Sequence, residues 1–418
     1  MNPYMNSRKS LLTVIALVAL IVAACGGTPG ANTPSASAGA SAALSGEIRI
    51  SGWSSSPTED ALLTDSINAF MTANPNVKVK WEPIAKDYDT VLKTNIAAGT
   101  EADVFYVDIF WADSIMKTGK LLALDDQMAK TGTSKSDFVP SLLNAFSYNG
   151  KVYGIPKDFN TLGLVYNKDL FKAANVKEPT NDWTWDDLKT AAKALTKGDV
   201  VGLSLPADAA RFMPFLWAAG GDLAAINNDK GQAATDFYTG FEVKDKVSKL
   251  PSEIGMGWAG EAFEKGKAAM VFEGGWLPAD LNNNFKSVNY GVVQLPKGSA
   301  GKANLIFTVS YSVSAKTKNP DAAWALTNYL TGKDNQSKVL KAGFALPTRT
   351  ALSSEITNPN SKAIFDGAPY GKPFNYGGAN TGKVNDEINK ALESVMLGKS
   401  NVKDALDKLA TTIKPLLQ

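Results

Sequence analysis

The N-terminal half of the chain alternates between strand-like and helix-like patterns of apolar residues. Polar and apolar residues alternate over Glu47–Gly52, which predicts a strand, and apolar residues recur at helical spacing over Glu59–Met71. A second alternating stretch follows at Val77–Trp81, then a helical stretch at Tyr88–Ala98 and a continuous apolar strand at Asp103–Val107. Strands and helices that alternate with short connections predict a parallel sheet built by right-handed crossovers.

Further along the chain, the same patterns predict more strands and one well-defined helix start. Thr184 opens a Thr-x-x-acid capping box, so a helix is expected to begin there and Trp185 to be a packing residue. Beyond Pro320 the pattern is mostly helical, with loops at residues 345–349 and 369–380. The other predicted strands are Lys151–Pro156, Leu162–Tyr166, Met270–Phe272, Tyr290–Gln294 and Ile306–Val313.

Two clusters of aromatic and polar residues follow the ends of predicted strands. Ligands of open α/β sheets bind beyond the carboxyl ends of the strands. Trp53 with residues 54–56 follows the first strand, and Asp108, Trp111 and Asp113 follow the third. Both clusters combine an aromatic ring with hydrogen-bonding groups. The alternative is that Trp53 and Trp111 only cap the core.

The first 24 residues have the pattern of an export signal. Arg8 and Lys9 precede the apolar run Leu11–Val22, which is short for a membrane-spanning helix. The Val-Ala-Ala-Cys sequence that ends at Cys25 resembles a bacterial lipobox. The resemblance implies that the Cys25 thiol carries a diacylglycerol and that a signal peptide of residues 1–24 is removed. An uncleaved anchor helix with an incidental cysteine is the alternative.

Composition and charge narrow the classes of function. Residues 25–45 are nearly all Gly, Ala, Ser, Thr and Pro, which predicts a flexible tether. The chain has one Cys and no His, which excludes a disulfide, His- or Cys-based nucleophilic catalysis and most metal sites. No cofactor, metal or catalytic residue is predicted. Because signal removal takes two of the 43 basic residues and none of the 41 acidic ones, the mature protein is neutral, which argues against binding nucleic acid.

Nine segments, spread over nearly the whole body, carry a family resemblance. They are FMTANPNVKVKW (70–81), IAAGTEADVFYVD (96–108), YNGKVYGIP (148–156), LVYNKDLF (164–171), TWDDL (184–188), AAGGDL (218–223), AFEKGKAAMVFEGGW (262–276), NYGVVQLPKG (289–298) and GKSNVKDALDKLA (398–410). In this order they resemble the extracellular solute-binding proteins of carbohydrate ABC importers, of the maltose- and trehalose-binding type.

The resemblance implies an α/β fold of the periplasmic-binding-protein-like type II, in which hinge strands join two α/β lobes around a ligand cleft. It implies an N-terminal lobe of residues 46–158 and 303–349 and a C-terminal lobe of residues 159–302 and 350–418. The chain would cross between the lobes near 157–161, 301–304 and 349–353. Such crossings absorb the backbone rotation of lobe closure.

The same resemblance implies a function, a location and partners. The expected function is capture of a carbohydrate, an oligosaccharide of the maltose or trehalose type, by lobe closure. The protein is expected to deliver the carbohydrate to the transmembrane permease subunits of an ABC transporter, which a separate ATPase drives. The protein is expected to be a monomer held by its lipid on the extracellular face of the cell membrane, with no nucleic-acid partner and no enzymatic activity.

A sugar offers hydroxyls and an apolar ring face, so its site needs aromatic rings and hydrogen-bonding groups. The resemblance carries ligand contacts over to Asp108, Trp111 and Asp113. At the first crossover the family commonly has an acidic residue that contacts the sugar, and the resemblance allows either Asp158 or Asn160 to fill that role. These five candidates lie in the N-terminal lobe or on the strand that leaves it.

The C-terminal lobe is expected to supply the main stacking residue. Trp276 matches the family position whose aromatic ring stacks on the sugar, and Glu273 would accept hydroxyl hydrogen bonds beside it. Tyr311 would shorten the pocket if it pointed into the cleft. The full set of candidate ligand-binding residues is Trp53, Asp108, Trp111, Asp113, Asp158, Asn160, Gly221, Asp222, Glu273, Trp276, Tyr311, Arg349 and Tyr376.

Three other functions remain open from the sequence. A glycoside-processing enzyme could use a pair of carboxylates among Asp108, Asp113, Asp158 and Glu273. A binding protein could take a non-sugar solute, or a cationic amino sugar that the carboxylates would favour. A lipoprotein could use its cleft as an interaction surface.

Overall fold

The computed structural model of the chain describes residues 44–54, 57–85, 87–343, 345–373, 376 and 378–417. These residues belong to one compact unit. The predicted signal peptide, Cys25 and the tether up to residue 43 lie outside the described residues. Within the described part of the chain, no helix is both long and apolar enough to cross a membrane.

The described residues form short and long strands along the whole chain. The strands are β1 Gly46–Trp53, β2 Val77–Ile84, β3 Val104–Asp108, β4 Ser147–Tyr148, β5 Lys151–Val152, β6 Gly154–Thr161, β7 Gly163–Asn167, β8 Leu203–Ser204, β9 Ser248–Lys249, β10 Met270–Glu273, β11 Tyr290–Gln294, β12 Asn304–Val313 and β13 Gly371–Pro373.

Helices occupy most of the remaining described residues. The α-helices are α1 Pro57–Ala73, α2 Tyr88–Ala98, α3 Ile109–Met116, α4 Asp125–Thr131, α5 Pro140–Ala145, α6 Lys168–Ala173, α7 Trp185–Leu195, α8 Ala209–Ala218, α9 Asp229–Val243, α10 Ala259–Glu264, α11 Trp276–Asn284, α12 Pro320–Leu330, α13 Lys333–Lys341, α14 Pro359–Phe365, α15 Thr381–Met396 and α16 Val402–Ile413. Short 3₁₀ turns lie at Lys135–Asp137, Leu223–Ala225, Pro251–Ile254, Thr350–Glu355, Ala368–Tyr370, Gly378–Asn380 and Lys414–Leu416.

The first sheet contains the parallel strands that the sequence predicts. Its order is β13-β12-β3-β1-β2, with β6 also paired to β12. Strand β1 runs parallel to β2 and β3, whereas β12 runs antiparallel to β3 and β6. The alternating apolar residues Ile48 and Ile50 are fully buried. Because β1 and β3 are parallel, their carboxyl ends, with Trp53 and Asp108, lie at one edge of the sheet.

The second sheet has the order β10-β7-β11, and both of its pairings are antiparallel. Its central strand β7 is buried at Leu164 and Val165. The predicted capping box at Thr184 is confirmed, because Asp187 N donates to Thr184 Oγ1 at 3.3 Å and Thr184 N donates to Asp187 Oδ2 at 2.8 Å. Trp185 stacks on Phe237 at 4.2 Å, as a packing residue does.

The chain passes between the two sheets at Leu162 and again between β11 and β12. The side chain of Asn304 joins these two passages, since Leu162 N donates to Asn304 Oδ1 at 3.0 Å and Asn304 Nδ2 donates to Leu162 O at 2.7 Å. Strand β6 stays paired with β12 as far as Thr161. Two α/β lobes, each with its own sheet, are therefore joined by strands, as predicted. The boundaries of the lobes, residues 46–158 and 303–349 for one and residues 159–302 and 350–418 for the other, stay a prediction.

Candidate functional site

A cavity of about 300 Å³ lies where the two sheets meet, and we call it the central cavity. Its wall is formed by the ends of β1 and β3, by the paired strands β6 and β12, and by the start of α11. The lining residues are Trp53, Glu59, Asp108, Ile109, Phe110, Lys157, Asp158, Asn160, Trp276, Phe307, Thr308, Val309 and Ala345.

Strand register places two carboxylates on the wall of the central cavity. Val309 of β12 is opposite Asp108 of β3 on one side and opposite Asp158 of β6 on the other. Neighbouring strands are about 4.8 Å apart, so the backbones of the two aspartates are on the order of 10 Å apart. Residues that face each other across paired strands share one face of the sheet, which explains why both line the cavity.

Asp108 also begins helix α3. Its Oδ1 accepts a hydrogen bond from Phe110 N at 2.9 Å, which is the geometry of an N-cap. Burial raises the pKa of Asp108 to about 7 despite this hydrogen bond, and the nearby carboxylates of Asp89 and Asp158 raise it further. The Asp108 carboxyl therefore gains and loses its proton near neutral pH.

Lys157 is a cavity residue that the sequence did not predict. Its ammonium forms ion pairs with Asp158 and with Glu59 Oε1, the latter at 3.3 Å. Burial lowers the pKa of Lys157, but the two carboxylates outweigh burial and hold the pKa above its ordinary value. The pairing of β6 with β12 shifts next to Asp158, which makes Lys157 an extra, bulged residue. A bulge breaks strand alternation, so consecutive residues reach the same cavity.

Trp276 is the aromatic residue that the second lobe contributes. It is the first residue of α11, after Gly274 and Gly275. A Cβ at Gly274 would lie 2.3 Å from the Trp276 ring, so only glycine leaves room for the indole there. The Trp276 ring meets Phe307 edge to face, with 5.3 Å between centroids and 90° between planes. Phe307 was not predicted, because β12 mixes apolar and polar residues and nothing in its sequence distinguishes Phe307 from the other apolar residues of the strand.

Trp53 and Asn160 complete the predicted residues of the central cavity. Trp53 is half-buried and meets the rings of Tyr88 and Tyr106 edge to face at 5.2 and 5.1 Å. Asn160 Oδ1 accepts a hydrogen bond from Gly275 N at 3.1 Å, which ties β6 to the start of α11. The predicted residues Trp53, Asp108, Asp158, Asn160 and Trp276 are thus brought together.

Two further cavities adjoin the central one. A cavity of about 50 Å³ shares Trp53 and Asp158 with it and reaches Tyr311, which is buried and lies edge to face with Tyr106 at 5.3 Å. Burial raises the pKa of Tyr311 to about 12. A groove of about 300 Å³ continues from Asn160 on the other side. Tyr311 thus lines the small cavity behind the central one.

The structure places Trp111, Asp113 and Arg349 outside the set of residues that line the central cavity, so a contact of these three with the ligand stays a prediction. Trp111 is buried and donates from Nε1 to Asp89 Oδ1 at 3.0 Å, and Asp113 pairs with a lysine one helical turn away. Helix α3 starts directly after β3, so these side chains turn away from the sheet edge. Arg349 donates to Thr331 O at 2.9 Å and lies over the Phe138 ring at 4.2 Å.

Four other predicted residues also lie outside the central cavity. Gly221 follows the end of α8, with its N–H donating to Leu216 O at 2.8 Å, and Asp222 caps the turn Leu223–Ala225. The hydroxyl of Tyr376 bonds to the side chain of Asn385. Glu273 is only 1% exposed and accepts its hydrogen bonds from protein groups. It lines a separate cavity of about 590 Å³ within the second lobe.

Known proteins resemble this chain over most of its length. The sequence profile of the bacterial extracellular solute-binding protein family matches residues 54–337. The galactooligosaccharide-binding protein of Bacillus subtilis is 25% identical, over 98% of this chain and 97% of that protein. The diacetylchitobiose binding protein DasA of Streptomyces coelicolor is 26% identical over 84% of each chain.

Solved structures show the same fold. An ABC substrate-binding protein of Listeria monocytogenes in complex with cycloalternan superposes with a TM-score of 0.78 at 26% identity, over 88% of this chain and 98% of that one. The GacH receptor of Streptomyces glaucescens, solved unliganded and with acarbose, has a TM-score of 0.77 at 26% identity, over 90% and 99%. The predicted type II periplasmic-binding-protein fold is thereby confirmed.

Proposed function

Because this chain belongs to the family of bacterial extracellular solute-binding proteins, we propose that it captures a carbohydrate in the central cavity and delivers it to an ABC importer. The observation that carries the proposal is the meeting of Trp53 and Trp276 with Asp108 and Asp158 at the junction of the two sheets. Aromatic rings match the apolar face of a sugar, and carboxylates accept hydrogen bonds from its hydroxyls.

The expected ligand is an oligosaccharide. Two relatives are named for binding galactooligosaccharide and diacetylchitobiose, and two similar structures hold cycloalternan and acarbose. The central cavity continues into a groove of about 300 Å³ at Asn160, which leaves room for more than one sugar unit. Among the described residues that line the central cavity, Lys157 is the one with a basic side chain, and it already pairs with Glu59 and Asp158 rather than being free for an anionic ligand.

A binding role suits the carboxylates better than hydrolysis. The four candidates for a paired-carboxylate mechanism each have a partner in the protein. Asp113, Asp158 and Glu273 form ion pairs with basic side chains, and Asp108 caps α3. A paired mechanism needs a general acid and a second carboxylate that is free to act on the substrate, and the ion pairs of Asp113, Asp158 and Glu273 leave Asp108 without such a second group. We therefore propose that the protein is not an enzyme.

Ligand capture would close the two lobes about the strands that join them. Residues 46–158 and 303–349 would move as one lobe, and residues 159–302 and 350–418 as the other. Bending at Leu162 and at the start of β12 would change the distance between Trp53 and Trp276. Closure of this kind is a common response of two-lobed proteins to ligand.

The proposed location is the extracellular face of the cell membrane. A diacylglycerol on Cys25 would hold the mature protein there, and the tether would let both lobes reach the permease. The separate ATPase of the importer would supply the energy. The protein is expected to act as a monomer.

A thermal-shift screen with product analysis separates these functions. The protein is mixed with a panel of mono- and oligosaccharides, amino sugars, polyamines and phosphate esters, and the mixtures are then analysed by chromatography. We expect an oligosaccharide to raise the unfolding temperature and to be recovered intact. Recovery of shorter sugars would show a hydrolase, and stabilisation only by a non-sugar solute would contradict the proposal.

A further inference from the structure

Three elements of the second lobe meet at one buried carboxylate. Glu273 ends β10, Arg211 belongs to α8 and Trp276 begins α11. The Oε2 atom of Glu273 accepts hydrogen bonds from the Arg211 guanidinium and from Trp276 Nε1, the latter at 2.8 Å. We propose that Arg211 and Glu273 are positioning residues that fix the indole of Trp276 in the orientation that stacks on the sugar, an inference that rests on the proposed function.

The burial of Glu273 makes this contact strong. Its side chain is 1% exposed, whereas that of Arg211 is 18% exposed. A buried carboxylate needs a cation and further hydrogen-bond donors to offset its lost hydration. Arg211 supplies the cation, and Trp276 is the other side-chain donor that reaches Oε2. The indole therefore cannot rotate without leaving a buried charge poorly solvated.

Arg211 is itself held in place by its own helix start. Its NH1 donates to Asp208 Oδ1 at 3.1 Å, and the same oxygen accepts from Arg211 N at 3.1 Å. Its Nε is buried without a hydrogen-bond partner among the described residues. In this position the guanidinium reaches Glu273 and lies over the Trp276 ring, with 5.7 Å between Cζ and the ring centroid. The cost is the missing hydrogen bond of Nε.

The remaining contacts of Trp276 leave the ring little freedom. Phe307 stands perpendicular to it at 5.3 Å, and Gly274 lies under its six-membered ring with no space for a Cβ. The ring is therefore held at its nitrogen and packed against Phe307 and Gly274. Immobilising such a side chain on binding would otherwise cost affinity, so a ring already in place raises it.

A double-mutant cycle tests whether Glu273 acts through Trp276. Affinity for the oligosaccharide found in the screen is measured by calorimetry for Glu273→Leu and Glu273→Gln, each in the wild type and in Trp276→Phe. Phenylalanine keeps a ring for stacking but has no N–H for Glu273. In the wild type we expect Glu273→Leu to weaken binding about ten-fold and Glu273→Gln, which keeps an acceptor, less than about three-fold.

In the Trp276→Phe background we expect Glu273→Leu to change affinity by less than about two-fold. Equal losses in both backgrounds, or no loss in the wild type, would overturn the proposal. If Glu273→Leu does not fold, the same cycle is run with Arg211→Met. A wild-type protein that binds no sugar would refute the proposed function instead, so the two failures are distinguishable.

Two further variants separate positioning from stability. Gly274→Ala displaces the ring and leaves the ion pair intact, so it should weaken binding; unchanged affinity would contradict the proposal. Arg49→Met is the matched control, because Arg49 also pairs with a carboxylate, Glu82 at 2.7 Å, and does not line the central cavity or the two cavities that adjoin it. It should lower stability and leave sugar affinity unchanged; a loss of affinity as large as that of Arg211→Met would show an effect of stability alone.

Discussion

Several residues of the central cavity are held by hydrogen bonds and ion pairs to other protein groups. Asp108 caps α3, Asp158 holds Lys157, and Asn160 accepts from the backbone of α11. Such contacts fix side-chain rotamers, so little conformational entropy is left to lose when a sugar binds. The remaining lone pairs of these oxygens can still accept hydrogen bonds from hydroxyl groups.

Trp276→Ala should weaken sugar binding by about thirty-fold or more, because buried aromatic anchors carry much of the energy of a binding site. Calorimetric titration measures the loss, and circular dichroism checks that the fold is intact. Trp324→Phe is the control, since Trp324 is buried and donates to Thr131 Oγ1 at 3.2 Å, outside the cavity. Equal affinity of Trp276→Ala and wild type would remove Trp276 from the site.

Asp108→Asn should change how stability depends on pH. The pKa of Asp108 is raised from 3.8 to about 7 in the folded protein. Between about pH 4 and pH 7 the unfolded chain has lost this proton and the folded protein keeps it, so the free energy of unfolding falls as pH rises. Asparagine still caps α3 but does not titrate. In denaturant unfolding from pH 4 to 7, the free energy of unfolding of the variant should therefore increase relative to that of the wild type, and parallel curves would contradict this.

Single residues show what a sequence can and cannot predict about the site. Trp53 and Asp108 were predicted because they follow strand ends, a rule that depends only on topology. Lys157 was missed because regular strand alternation would place its side chain on the other face of the sheet from Asp158. Only the bulge brings both side chains to the cavity. Trp111 lies away from the cavity because α3 starts directly after β3, which a rule based on strand ends does not take into account.

At the scale of elements, the strands that join the lobes are held by a few buried polar contacts. The side chain of Asn304, at the start of β12, bonds to both backbone groups of Leu162 between β6 and β7. Both residues are fully buried. This contact connects the two passages between the sheets, so it stabilises the junction about which the lobes would rotate.

Asn304→Ala should lower the free energy of unfolding by about 2–4 kcal/mol, because the buried N–H and C=O of Leu162 lose their partner. Denaturant unfolding measures the change. Asn319→Ala is the control, since Asn319 is partly exposed and donates to Glu47 O at 3.1 Å. Its expected loss is below about 1 kcal/mol. A similar small loss for Asn304→Ala would contradict the role of this contact.

Most elements could be predicted because the apolar pattern was clear. The predicted helix Tyr88–Ala98 has the bounds of α2, and the strand predicted at Glu47–Gly52 is extended by one residue at each end in β1. Helix α3 was missed because its apolar residues Ile109–Trp111 continue the apolar run of β3. The antiparallel order of the second sheet could not be predicted, since pairing depends on contacts distant in sequence.

At the scale of the whole molecule, the N-terminal segment and the charge balance point to attachment by lipid. The mature chain would carry equal numbers of basic and acidic residues, so electrostatic attraction would not hold it to an anionic membrane. Two acyl chains are enough for stable anchoring. The tether then sets how far the two lobes reach from the surface.

Cys25→Ala should release the protein from the membrane and leave sugar affinity unchanged. Cys25 is at the start of the tether, and every described residue of the cavity comes after the tether in the chain. Cell fractionation gives the location, and titration of the released protein gives the affinity. Wild-type and variant protein found equally in the membrane fraction would argue for an uncleaved anchor helix instead.

We propose above all that the central cavity binds a neutral oligosaccharide. Calorimetric titration of the wild-type protein with the oligosaccharide selected by thermal shift tests it most directly. We predict saturable binding of one oligosaccharide per chain, weakened by Trp276→Ala and undisturbed by an excess of polyamine or phosphate ester. Absence of saturable heat with any sugar, together with saturable binding of one of those charged solutes, would contradict the account.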